Sequence, residues 1–240
     1  MKRHSAGFFI GIVVSIIVGF AVLVAVWVGL ASIQGLGYEP SAYFATKTGA
    51  NTATLDLSAY PDSATCHPDA PNPQIGWVSY CSTSNPQVGT NIDVPPNSVI
   101  TVTIKQYDSA SGLYNDFFQK VQGTVGGVAL YNNKPMSQIN PDDAAHTFSI
   151  QSVPDETDPI FVSVPLLGVA DNAPNNVTIN GNPYPTPNVI RFQFRTGPAG
   201  LTYIWHCYVP CGNDRETPYG FSGPMATTGY MAGTITVTNY

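Results

Sequence analysis

Residues 201–211 read Leu-Thr-Tyr-Ile-Trp-His-Cys-Tyr-Val-Pro-Cys, and after a Gly/Pro-rich stretch the chain closes on Gly229-Tyr-Met-Ala-Gly-Thr-Ile-Thr-Val-Thr238. Leu201 to Cys207 has the aromatic content of a strand, and Gly233 to Thr238 the β-branched content of another. Side chains alternate across a strand, so His206 and Cys207 face opposite ways. Tyr203 and Trp205 read as core. His206 reads as packing or a surface contact. Cys207 and Cys211, four residues apart, sit between the two strands with Met225 and Met231.

Working outward, the same strand pattern recurs. Ser98 to Gln106 is β-branched and roughly alternating, and Ala145 to Ile150, Ile160 to Val164 and Val189 to Phe194 follow. Gly/Pro turns such as Thr196 to Gly200 separate them. Short strands with such turns predict an all-β fold, an antiparallel sandwich or barrel. Residues 108–144 read as an elaborated connection with a short helix around Leu113 to Val121. Residues 33–93 are rich in Pro, Ser, Thr and Asn and read as a linker or insert, with strand-like pieces such as Ala53 to Leu57. The domain-like pattern therefore covers 94–240.

Composition narrows the function. The 240 residues include 22 Gly and 21 Pro but are only 10% charged, which excludes a coiled coil or a charged disordered tail. Nine Lys and Arg stand against 15 Asp and Glu, a net charge of −6, so there is no basic footprint for nucleic acid. Paired carboxylates with catalytic spacing, a Ser-His-Asp pattern and a phosphate loop are all missing, so the chain does not read as an enzyme on its own.

The N-terminus carries Lys2 and Arg3 and then an uncharged apolar run of 25 residues, Gly7 to Ala31. Roughly 20 such residues cross a bilayer core, and a secretory signal uses only about 7–15. Residues 1–32 are therefore expected to be a cytoplasmic tip and a single transmembrane anchor. Cleavage near Ala31, at Gly-Leu-Ala-Ser, is the alternative. No charge follows the run until Glu39, so the positive-inside rule puts the rest of the chain on the extracytoplasmic face of the cell membrane. An oxidising compartment suits a structural disulfide between Cys66 and Cys81. Metal binding by Cys66 with His67 lacks paired ligand spacing.

His146, in Ala-His-Thr-Phe-Ser-Ile, together with the segment from Tyr203 to Val237, resembles the cupredoxin fold, a Greek-key β-sandwich. Its copper site takes one His from an inner strand, and the other ligands from a loop that a cysteine opens and a methionine closes. Thiolate, thioether and imidazole are soft or borderline donors that suit copper in both oxidation states. Within that superfamily the spacing is most similar to the CuA domain of haem-copper oxidase subunit II, with its Cys-x3-Cys-Gly. The resemblance covers 94–240 and assigns His146, Cys207, Cys211 and Met231 as copper ligands, with Met225 in reserve. It implies a membrane-anchored component of a respiratory oxidase, or an electron carrier feeding one. The partners it implies are integral-membrane haem-copper oxidase subunits or a redox donor.

The sequence departs from that pattern at two points. The second His of the family belongs four residues after the second Cys, where this chain has Arg215, and no His follows Cys211. The loop to Met231 is also longer than in the family. Copper in a mononuclear or CuA-like site is one expectation. A copper-free structural sandwich with Cys207 and Cys211 in a disulfide is the second. A surface or filament protein is the third.

Overall fold

The computed structural model describes residues 6–33, 41–67, 75–85, 88–112, 115–154, 156–209 and 223–240. It divides into two compact units, Met1–Glu39 and Pro40–Tyr240. The first contains α1, a helix over Ala6–Ile33. Its large apolar residues from Val13 to Trp27 are exposed, on every side of the helix. Side chains are described there for 13–27 only, and among the described residues no helix is long and apolar enough to cross a membrane.

The second unit is mostly β. In chain order its strands are β1 Ser41–Phe44, β2 Thr46–Gly49, β3 Thr52–Asp62, β4 Ile75–Ser82 and β5 Val88–Val94. Then come β6 Val99–Gln106, β7 Ala129–Tyr131, β8 Lys134–Met136, β9 Ala144–Ser152 and β10 Phe161–Leu167. The remainder are β11 Asn175–Ile179, β12 Asn182–Pro185, β13 Asn188–Arg195, β14 Thr202–His206 and β15 Ala232–Val237. One sheet runs β1-β5-β15-β14-β9-β10. The other runs β2-β3-β6-β13-β7-β8, with β4 following β2 along the side of β3 away from β6, and β11 and β12 form a small hairpin.

Alternation builds the core. On β6, Ile100, Val102 and Ile104 are buried, while Thr101, Thr103 and Lys105 are half-buried. On β13, Ile190, Phe192 and Phe194 point inward, and Arg191, Gln193 and Arg195 outward. These side chains join Phe148, Ile150, Val162, Val164, Trp205, Ile235 and Val237 of the first sheet in one apolar cluster. The Phe148 and Trp205 rings stack at 4.8 Å, and Trp205 Nε1 donates to the Thr90 carbonyl at 2.8 Å.

The strands expected from 98 onward are all present. Three expectations change. Both sheets are mixed rather than antiparallel, because β3 pairs parallel with β6 and β5 parallel with both β1 and β15. The chain moves between sheets from β4 to β5 and again from β5 to β6, so neighbours in space are not neighbours in sequence. Residues 41–94 are therefore woven into both sheets, and the sandwich unit begins at Pro40 rather than 94. The helix expected near 113–121 is a single 3-10 turn, Asp116–Gln119, capped by the Asn115 side chain; residues 113 and 114 lie outside the described residues.

Candidate functional site

The sheet brings His146 and Cys207 together. β14 pairs antiparallel with β9, His206 lying opposite Ser149, so the residues that follow β14, Cys207 and Tyr208, reach Thr147 near the start of β9. His146 shares the inward face of β9 with Phe148 and Ile150. Cys207 shares that of β14 with Tyr203 and Trp205, and all three are buried. His206 is half-buried and turns away: its Nδ1 lies 3.2 Å from the Cys207 carbonyl, and its ring packs edge-on against Tyr208 at 4.3 Å.

Cys207 is a buried thiol. Its Sγ accepts from the Thr147 backbone N–H at 3.4 Å and donates to the Val209 carbonyl at 3.3 Å. The Cys207 thiol also lies within hydrogen-bonding reach of the His146 ring. On the far side of that ring, Nε2 meets Asp108 Oδ2 at 3.0 Å, which leaves Nδ1 as the nitrogen available toward the thiol. The loop after β6 sets the Asp108 carboxylate: its Oδ1 accepts from Ser109 N at 2.8 Å, and Gln106 Nε2 donates to its carbonyl at 3.3 Å.

Burial by itself would depress the His146 imidazole. The hydrogen bonds of Asp108 and Cys207 and the charge of Asp108 outweigh it and raise the pKa to about 9. His146 and Cys207 are 3% and 0% exposed, so both are shielded from water.

Met231 is also buried. Its carbonyl accepts from Cys207 N at 3.0 Å, and its N–H donates to the Pro224 carbonyl at 3.1 Å. That links the thiol, the turn over Pro224–Ala226 and the start of β15. Met225 sits on this turn, half-buried against the main core. Cys211 and Arg215 lie outside the described residues. Cys66 and Cys81 form a disulfide, their Cα atoms 5.7 Å apart, as expected. Among the described residues, no group of three or more His, Cys, Asp and Glu side chains could hold a metal.

Tyr208 seals the outer face. Its N–H donates to Thr147 Oγ1 at 2.8 Å and its hydroxyl to Gln151 Oε1 at 2.6 Å, while Phe117 packs edge-on against its ring. This cover explains why β9 is buried on both faces from Ala144 to Ile150. Sequence reading did not find Asp108 or Thr147. Thr147 follows His146 directly, but its part is played by a backbone N–H that any residue supplies. Asp108 is 38 residues away on a loop, with no spacing signal.

No known protein family and no curated protein matches the chain. Among solved structures, the copper protein rusticyanin matches at 18% identity, covering 81% of this chain and 82% of that one, with a TM-score of 0.33. Rusticyanin from Thiobacillus ferrooxidans gives 18%, 81% and 81%, with a TM-score of 0.32. A rusticyanin mutant gives 14%, 87% and 94%, also with a TM-score of 0.32.

Proposed function

We propose that the sandwich is a cupredoxin-like electron-transfer domain that binds a single copper through His146, Cys207 and Met231. The observation that carries this reading is the buried imidazole–thiol pair, with the imidazole held from behind by Asp108 and the sulfur held by a backbone N–H. The donor set fits the metal: one thiol, one imidazole and one thioether are soft or borderline donors suited to copper in both oxidation states. Copper bound there would supply one-electron exchange. The Thr147 N–H favours negative charge on Cys207 Sγ, and Asp108 fixes the tautomer and plane of His146. Phe148, Trp205 and Tyr208 keep water away, and the rigid sheet pair limits rearrangement.

A Cys–His–Asp series can also activate a thiol nucleophile, but the sulfur is buried and hydrogen-bonded to backbone on two sides, which favours a held ligand over an exposed nucleophile. A copper-free structural role is the second reading. What favours it is that the same hydrogen bonds satisfy His146 and Cys207 without a metal, and that Arg215 stands where the related oxidase domains have a His. Helix α1, apolar on every side, supports anchorage in a membrane, which would place the domain beside membrane-embedded redox partners such as a haem-copper oxidase.

The test is copper content per chain after loading and extensive dialysis. The proposal expects about one copper, lost in Cys207→Ser. Failure of the wild-type chain to retain copper, or equal retention by Cys207→Ser, would leave the structural reading.

A further inference from the structure

The residues just before Met231 are held by a part of the chain remote from the His146–Cys207 pair. The Cys66–Cys81 disulfide ties the residues just after β3 to β4. His67, next to Cys66, is buried, and its Nε2 bonds the Gly229 carbonyl at 2.8 Å. The His67 ring stacks on Tyr230 at 4.2 Å and 30°. Trp77 of β4 meets the same Tyr230 ring edge-on at 5.0 Å. Tyr80 N donates to the Tyr230 carbonyl at 2.8 Å. Gly229 has φ +96, a backbone state that a residue with a Cβ adopts only under strain, so its carbonyl direction depends on glycine. Both residues preceding Met231 are thus held by His67 or by Trp77 and Tyr80 of β4, and the Met231 carbonyl in turn accepts from Cys207 N.

We propose that His67, together with Trp77 and Tyr80 of β4, is a brace that sets the position of the Met231 donor, with His67 as the positioning residue. The inference rests on the copper reading of the site, and it assigns a role in tuning that site to a segment whose sequence reads only as a stapled insert. Burial outweighs the Gly229 bond and lowers the His67 pKa, so the ring is neutral and Nε2 carries the proton that the carbonyl accepts.

The experiment uses the full chain with its four methionine methyls isotopically labelled, first without metal and then copper-loaded. His67→Phe keeps a ring for Tyr230 but removes the donor, and His67→Gln keeps a donor of similar reach. In metal-free protein, His67→Phe is expected to move the Met231 methyl resonance and to speed amide exchange at Tyr230 and Met231 about fivefold, the loss of one hydrogen bond. The Met136 methyl, on β8 of the other sheet, stays in place, and His67→Gln brings the Met231 signals back toward wild type. A folded His67→Phe with wild-type Met231 signals overturns the brace. Should His67→Phe not fold, Cys66→Ala/Cys81→Ala is read in the same way: moved Met231 signals support the brace and unchanged ones overturn it. In copper-loaded protein, His67→Phe is expected to shift the reduction potential. An unshifted potential beside moved metal-free signals overturns the claim that the brace tunes a donor. Failure of wild-type chain to bind copper overturns the donor role by itself, and the metal-free signals then decide whether the brace exists.

Discussion

At the scale of single residues, Asp108, His146 and Cys207 are the heart of the proposed site. Asp108 is the outer partner that holds the imidazole plane, so Asp108→Ala is expected to weaken copper retention by about 10–100-fold while leaving the fold intact; competition with a chelator of known affinity reads this directly. Asp108→Asn, which still bonds Nε2, should lose less. His67 offers a test in pH. Its folded pKa lies below the unfolded value, so the folded protein binds fewer protons than the unfolded chain as pH falls. Its contribution is fully present above the unfolded value and is lost as pH drops through that value and on toward the folded one. The thermal midpoint of the wild type should therefore fall more between neutral and mildly acidic pH than that of His67→Gln, and parallel profiles would contradict this. Residue type and context drew attention to His146 and Cys207, which the sheet pairing brings together. The supporting residues were hidden because their roles depend on long-range pairing: Asp108 reaches His146 only once β6 and β9 are in place, and His67 reaches Gly229 across 162 positions.

At the scale of elements, β9, β14 and β15 form the frame of the site. Gly233 on β15 has no room for a side chain, since a Cβ there would collide with the Thr90 carbonyl and crowd Trp205 Nε1. Gly233→Val should separate β15 from β5 and displace Trp205, destabilising the fold by more than a typical surface change. Trp205→Ala removes the stack on Phe148 and the bond to Thr90, at a cost of about 3–5 kcal/mol in a denaturant titration. The Cys66–Cys81 link closes a loop of 15 residues, and its removal should cost about 3 kcal/mol. Period-two alternation made β6 and β13 legible, because each has one inward and one outward face. It could not reveal that β9 is covered on both faces, because the cover comes from Tyr208 and Phe117. Nor could it reveal the parallel pairing of β3 with β6, since strand order across sheets leaves no local mark in the sequence.

At the scale of the whole molecule, the main revision concerns residues 41–94. They supply β3 at the side of β6 and β5 at the side of β15, and their removal would expose the backbone edges of both. A fragment of residues 94–240 is accordingly expected to aggregate or stay unfolded, and one of residues 40–240 to unfold in a single cooperative transition. Calorimetry of the two fragments checks this, and a folded 94–240 fragment would contradict the assignment of one unit. The Pro- and Ser-rich composition of 33–93 suggested an insert, although the stretch holds β3 and β4, strands of 11 and 8 residues, because composition averaged over the stretch hides their pattern. The central claim is that Cys207 and His146 hold copper, and X-ray absorption at the copper edge of the loaded full chain tests it most directly. The account predicts a thiolate sulfur and an imidazole nitrogen in the copper's coordination shell, with the sulfur lost in Cys207→Ser. A shell of oxygen and nitrogen alone, unchanged by that substitution, would contradict it.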